Sequence, residues 1–205
     1  MKRWLAEGSS HICMDEDGNH LVHYRLVADQ SRFSVQAFAE GLFSAFGHDP
    51  VIVIRDFTGE AGLEPDTLSQ AQLRLKINAA SLAASEEVKE KDRPEIDRMM
   101  RDEVLETAQY PEIVFESTNI SPSRLKPGRY RARIIGNLTL HGVTHNNLWV
   151  YAEVSLDGES LRAQGECTLK QTDYNIKLVS VAGGTLKVKN EVKLSFDIKG
   201  QRAEG

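Results

Sequence analysis

Cysteine is scarce in this chain. Cys13 and Cys167 are the only two in 205 residues, and they lie far apart. With no C-x-x-C pair, thioredoxin-type chemistry is excluded, and two thiolates alone are too few for a tetrahedral zinc site. A single disulfide between them stays open on sequence grounds. The carboxylates of Asp15, Glu16 and Asp17 beside Cys13 disfavour its thiolate and hence its reactivity. No stretch approaches the roughly 18 apolar residues that a membrane-spanning helix needs. Positive charge is not in excess either: 25 Lys and Arg stand against 30 Asp and Glu, for a net charge of -5. A protein that works by neutralising phosphates needs the opposite balance, so no nucleic-acid partner is expected. The start Met1-Lys2-Arg3-Trp4-Leu5 imitates a secretory signal, but Glu7 and Gly8-Ser9-Ser10 stand where its apolar core belongs. The expectation is a cytoplasmic protein, with the periplasm as the alternative if a leader has been removed.

Catalytic signatures are missing too. There is no G-x-S-x-G elbow, no glycine-rich phosphate loop and no H-E-x-x-H. What is present is alternation. Hydrophobic residues make up 40% of the chain and charged residues 27%, enough to build a core and to exclude wholesale disorder. From Leu21 onward apolar residues recur with period two. Leu186, Val188, Val192, Leu194, Phe196 and Ile198 alternate with Lys187, Lys189, Glu191, Lys193, Ser195 and Asp197, and only Asn190 breaks the apolar face. Similar faces run through 73–77, 130–134, 148–156 and 161–169, with shorter candidates at 22–28, 33–39, 51–57 and 113–119. Asp157-Gly158, Lys126-Pro127-Gly128 and Gly183-Gly184 supply turns. One segment departs from the pattern: Ile96, Met99, Met100 and Val104 fall at helical spacing, with Pro94 in the first turn, which predicts a helix over 92–106. A second short helical turn is expected after Asp173.

The expected architecture is all-β: an antiparallel barrel of about eight strands, which removes its own edges, with one principal helix in the long connection. Residues 1–21 read as an N-terminal extension open to disorder, 22–200 as the barrel, and 201–205 as a C-terminal tail.

Few polar residues stand out as functional. His141 and His145 are four apart, the spacing of two ligands on a helix, but Gly142-Val143-Thr144 between them points to a strand end; no metal site is expected. Arg124, Lys126, Arg129, Arg131 and Arg133 surround a hairpin turn. They read first as an outward polar face, with an anion seat near the barrel rim as the second reading. His48 sits in Phe46-Gly47-His48-Asp49-Pro50 between two strands. It reads first as a loop histidine bonded to backbone and second as a general base lacking a visible partner.

Several landmarks follow one another in a familiar order. They are Phe33-Ser34-Val35, Phe46-Gly47-His48, Asp56-Phe57-Thr58-Gly59, Ile77-Asn78-Ala79-Ala80-Ser81-Leu82 and the helix closing in Arg101-Asp102-Glu103-Val104-Leu105. The most specific are Tyr110-Pro111-Glu112-Ile113-Val114-Phe115-Glu116-Ser117 and Gly136-Asn137-Leu138-Thr139-Leu140-His141-Gly142-Val143-Thr144. From about Tyr24 to Lys199 the chain resembles the YceI-like proteins. That resemblance implies an extended lipocalin-like barrel around a long isoprenoid chain, with no cofactor needed for folding and with a homodimer among its partners.

The expected function is therefore non-catalytic carriage of a long apolar ligand, a polyisoprenoid, an isoprenoid quinone or a similar lipid. The alternatives are an interaction module with a filled core and a lipid-modifying enzyme using His48. Period-two geometry sends Phe33, Val35, Leu73, Leu75, Phe115, Ile134, Leu138, Leu169, Leu194 and Phe196 to one side, where they are expected to line the lumen. His48, Arg131 and Arg133 are the head-group candidates. The face of helix 92–106 that carries Ile96, Met99, Met100 and Val104 is expected to pack on the barrel or across its mouth.

Overall fold

The computed structural model describes residues 21–40, 49–181 and 186–203. Twelve strands form one antiparallel sheet: β1 (Val22–Leu26), β2 (Arg32–Glu40), β3 (Val51–Ile54), β4 (Phe57–Leu63), β5 (Gln72–Asn78), β6 (Leu82–Ala84), β7 (Glu112–Lys126), β8 (Arg129–Leu140), β9 (Val143–Leu156), β10 (Ser160–Lys170), β11 (Ser180–Val181) and β12 (Leu186–Arg202). The path β1-β4-β5-β7-β8-β9-β10-β12 returns to β1, closing an eight-stranded barrel. Closure pairs Tyr24 with Arg202 and Leu26 with Gly200.

The three extra strands on the β2-β3-β6 branch continue staves already in the barrel. β1 and β2 both lie along β12; β3 pairs with β6 as β4 pairs with β5. Three staves are thus bent and the others run unbroken. The bends are stitched by short polar side chains. Asn78 Nδ2 donates to Asp56 Oδ2 at 3.0 Å, the Asp56 N–H donates to Ser81 Oγ at 3.1 Å, and Ser31 Oγ donates to the Val27 carbonyl at 2.6 Å.

These bends account for the largest departures from the sequence reading. The single strand expected over 51–57 ends at Ile54, turns at Arg55-Asp56 and resumes as β4, which period-two alternation does not reveal. β12 runs to Arg202, so Gln201 and Arg202, expected as tail, pair with Arg25 and Tyr24. The expected helix is an α-helix, α1 (Arg93–Met99), that widens into a π-turn over Met100–Val104, with the Leu105 N–H bonded to the Met100 carbonyl at 2.8 Å. The short helical turn expected after Asp173 instead begins before it, as a 3-10 helix over Gln171–Tyr174 closed by Asn175 at φ 57°.

Outside the barrel, cross-strand ion pairs form rungs: Arg74–Glu116 at 3.1 Å, Lys193–Glu166 at 2.8 Å and Arg162–Asp197 at 2.6 Å. Exposed pairs of this kind contribute about 0–1 kcal/mol each, so register is set mainly by what faces inward.

Candidate functional site

The inward faces do not meet. They enclose a cavity of about 1140 Å³, above the roughly 300–1,000 Å³ of common small-molecule pockets. Its wall draws on all eight staves. Phe33 and Val35 come from β2, Leu73 and Leu75 from β5, and Phe115 from β7. Ile134 and Leu138 come from β8, Leu169 from β10, and Leu194 and Phe196 from β12; every one of the ten residues expected at the lumen lies on the wall. β4 and β9 add Ala61, Leu63, Val150 and Val154.

Uneven side-chain size keeps the space open. Across one layer of the register Phe33 pairs with Phe196, Phe196 with Gly165, Gly165 with Ala152, and Ala152 with Ala132. Bulk is concentrated on one side, where Phe33 meets Phe57 and Phe196 edge-on at centroid distances of 6.2 and 6.3 Å. Gly165 is obligatory here, since a Cβ on it would lie 2.2 Å from the Tyr151 carbonyl and 2.7 Å from the Phe196 ring.

The two ends differ. At one, Tyr24 and Tyr130 are almost wholly buried, and their hydroxyls donate to the carbonyls of Gly158 at 3.2 Å and Asp66 at 2.7 Å. At the other, Glu87, Lys89, Lys91 and Lys170 both line the cavity and are exposed, so the cavity reaches solvent there. Ile96, Met99, Met100, Val104 and Leu105 also reach the wall at this end, so the helix lies across the mouth as its spacing predicts. It covers an edge of the sheet as well: the Ala84 N–H of β6 donates to Asp97 Oδ1 at 2.7 Å.

The far end of the helical segment is clasped to the barrel. Glu106 Oε2 lies 2.7 Å from His141 Nε2, His141 Nδ1 lies 3.1 Å from the Tyr174 carbonyl, and the Tyr110 ring packs against the imidazole at a centroid distance of 4.4 Å, tilted by 56°. Gly142, at φ 72°, leaves room for the Tyr110 ring, which a Cβ would approach to 2.6 Å. His145 instead contacts the Asp173 carbonyl at 2.8 Å. The two histidines therefore serve separate backbone contacts, and among the described residues no cluster of three or more His, Cys, Asp or Glu could hold a metal.

Arg131 and Arg133 stand on the outer wall, away from the cavity. Arg131 pairs with Glu153 at 3.5 Å, and Arg133 lies over the Trp149 ring at 5.2 Å. Period-two geometry explains this, because their neighbours Ala132 and Ile134 take the inner face. His48 lies outside the described residues, as do residues 1–20 with Cys13. Cys167 is a free thiol on the cavity wall, and burial pushes it up to about 11. Burial, followed by the charge of Asp173, pushes the Tyr174 phenol up to about 12. Among the described residues no helix is long and apolar enough to cross a membrane.

The match that decides the family covers residues 24–200 and is to the model of the YceI-like domain. The chain belongs to the YceI-like family. No protein of curated function matches it in sequence. Solved structures with the same YceI-like barrel include BcnA of Burkholderia cenocepacia. It is 15% identical, with a TM-score of 0.64 over 85% of this chain and 98% of that one. A polyisoprenoid-binding domain from Saccharophagus degradans, implicated in plant cell wall breakdown, is 16% identical, with a TM-score of 0.61 over 88% of this chain and 98% of its own. The YceI protein of Campylobacter jejuni is 15% identical, with a TM-score of 0.55 over 75% and 85%.

Proposed function

We propose that this YceI-like protein binds and carries, without chemical turnover, one long-chain apolar lipid inside its barrel, a polyisoprenoid or an isoprenoid quinone. The observation that carries the reading is the cavity of about 1140 Å³, whose charged lining residues all come from one end. Hydrocarbon entering it gains about 0.8 kcal/mol per CH2 before the costs of association, so a chain of several isoprene units needs little polar recognition. The polyisoprenoid-binding domain among its structural relatives supports the choice of ligand class.

Charge distribution fixes the direction of entry in this reading. A polar head cannot be buried unpaired among Leu63, Leu161 and Ile198, so the tail goes in first and the head stays at the rim with Lys89, Lys91, Lys170 and Gln171. The ten wall residues named above hold the tail. Arg131 and Arg133 take no part, being on the opposite face of β8.

The test is native mass spectrometry of protein purified from its own host, followed by lipid extraction. A single polyisoprenoid-class lipid at near one per chain is the expected result. Protein that arrives empty, and that also fails to take up a polyprenol after solvent extraction, would overturn the proposal and favour an interaction module.

A further inference from the structure

The outer wall carries a feature that the cavity does not use. On β8, Arg129, Arg131 and Arg133 stand in register with Ser155, Glu153 and Tyr151 of β9 and with Lys126, Ser123 and Ser121 of β7, so all of these share the outward face. Trp149 lies two residues beyond Tyr151 on that face, and the two residues are 51% and 55% exposed. The β7–β8 hairpin ends in a bulge. Arg124 pairs with Tyr130 and Lys126 with Arg129, which leaves Leu125 between them without a partner on β8 and 53% exposed. The apex is tied down at Gly128, whose carbonyl accepts from the Leu156 N–H at 2.9 Å. Charge here is one-sided, although the whole chain carries a net charge of -5. The carboxylates that border the face are already taken, Glu153 by Arg131 at 3.5 Å and Glu166 by Lys193 at 2.8 Å. Lys126 and Arg129 have no carboxylate partner among the described residues, and the Arg133 guanidinium lies over the Trp149 ring.

We propose that this face docks the protein on the surface of an anionic lipid bilayer. Lys126, Arg129 and Arg133 meet lipid phosphates, Trp149 and Tyr151 lie at the level of the headgroups, and Leu125 enters the layer beneath them. Tryptophan and tyrosine favour that level because one end of each side chain is apolar and the other wet. Each cation held near such a surface raises affinity roughly fivefold. A nucleic acid fits the same charge less well. Leu125 gains nothing from a phosphate backbone but does gain from acyl chains, and the Trp149 ring that a base would stack on is already covered by Arg133. The hairpin apex lies at the closed end of the barrel, next to the buried Tyr130, and not at the mouth. Docking is therefore a property of the outer wall, independent of what fills the cavity.

The experiment is co-sedimentation of the full chain with vesicles of phosphatidylcholine alone and of phosphatidylcholine with phosphatidylglycerol. Binding should require phosphatidylglycerol and should weaken as salt is raised. A variant carrying Lys126→Gln, Arg129→Gln and Arg133→Gln should bind roughly a hundredfold more weakly, at about fivefold per cation. A second variant loses the same charge elsewhere on the outer wall, through Lys76→Gln, Lys193→Gln and Lys199→Gln, and should bind like the parent. Leu125→Ser, which keeps every charge, should weaken binding several-fold. Thermal unfolding of each variant checks that the barrel is intact, and lipid retained in the cavity should be unchanged, since none of these side chains faces the lumen. In a Trp4→Phe background Trp149 is the sole tryptophan, and its emission should shift to the blue on anionic vesicles. A folded parent chain that ignores anionic vesicles, equal losses in the two triple variants, or a Trp149 emission that does not move on binding would each overturn the proposal. So would a single-stranded oligonucleotide that binds this face more tightly than the vesicles do and displaces them, which would assign it to nucleic acid.

Discussion

Leu194→Trp tests the cavity most directly. Leu194 lies on β12 between Cys167 of β10 and Val35 of β2, two residues above the Phe196–Gly165 pair. The neighbouring staves leave the indole nowhere to go but the lumen. Between Leu194 and Ile198 the strand descends four residues, about 13 Å at ~3.3 Å per residue, so the plug cuts off a substantial length of the lower cavity. Excluding as few as four methylenes removes about 3 kcal/mol of transfer free energy, or roughly two-hundredfold in affinity. Overpacking an otherwise well-filled wall costs about 1–3 kcal/mol, but part of the ring occupies empty space, so the lower figure is expected. For a barrel of this size that is a loss of ~2–4 °C in Tm. The control is Leu194→Ala. It costs more stability, about 2–5 kcal/mol, yet widens the lumen and should retain ligand. The assay is polyprenol uptake by solvent-extracted protein, read by native mass spectrometry beside thermal unfolding of each variant. A folded tryptophan variant that takes up the same polyprenol with unchanged affinity would refute the reasoning, as would an alanine variant that loses uptake while the tryptophan variant keeps it.

Other expectations follow from the same geometry. Cys167, buried on the wall and with its thiol raised to about 11, should react with iodoacetamide at pH 8 far more slowly than a free thiol, and more slowly still when lipid is bound; equal rates with and without lipid would place the ligand elsewhere. Asp97→Ala leaves the Ala84 N–H of β6 without its partner and loosens the helix at the mouth. It should cost about 1–3 kcal/mol and speed lipid exchange between protein and vesicles, whereas loss of stability with unchanged exchange would show that the helix is not the way in. Gly165→Val should unfold or severely destabilise the barrel, measured by denaturant titration, because the wall has no room for a Cβ at that position. The guanidinium of Arg162 beside Asp197 holds that carboxyl below its usual range, so their contribution is present at neutral pH and is lost as acid protonates Asp197. Arg162→Gln should therefore flatten the acid limb of a stability-versus-pH curve and leave its neutral-to-alkaline part parallel to that of the parent.

Most of the barrel was legible because its long strands bury one face only, and each such strand writes period two into the sequence. The ten lumen residues could be named for the same reason: once a strand's inner face is known, alternation fixes every side chain on it. β4 escaped because Thr58-Gly59-Glu60-Ala61-Gly62 offers little strand propensity. Its Gly59 is held there by close packing on Leu26 and on the Arg74 carbonyl, which is information from other parts of the chain. β6 and β11 have three residues and two, too few for any period to register. The rim residues Lys89, Lys91 and Lys170 carry no pattern, since a lysine at a cavity mouth looks in sequence like any solvated lysine. The clasp of Glu106 on His141 spans 35 residues, a separation no local spacing announces, while His145, already set aside as a partner for His141 on sequence grounds, contacts the Asp173 carbonyl. Arg131 and Arg133 were read both as outward-facing and as head-group candidates; the alternation that sends Ala132 and Ile134 inward carries the first reading and excludes the second.

The pairing of Tyr24 with Arg202 has a consequence for how the molecule is made. It joins residues 178 apart, and β2 likewise waits for β12 to supply its partner edge. During synthesis at roughly 5–20 residues per second, the first two strands spend on the order of ten seconds or more with those edges unpaired. The barrel cannot close until nearly the whole chain has left the ribosome, and a chain ending before Leu186 never closes. Until then the inward-facing apolar residues that later line the lumen are not enclosed on the side where β12 is missing. For a barrel that carries lipid as proposed, loading through the open side during folding and loading through the mouth of the finished barrel are separate routes, and only the first depends on where the chain is translated.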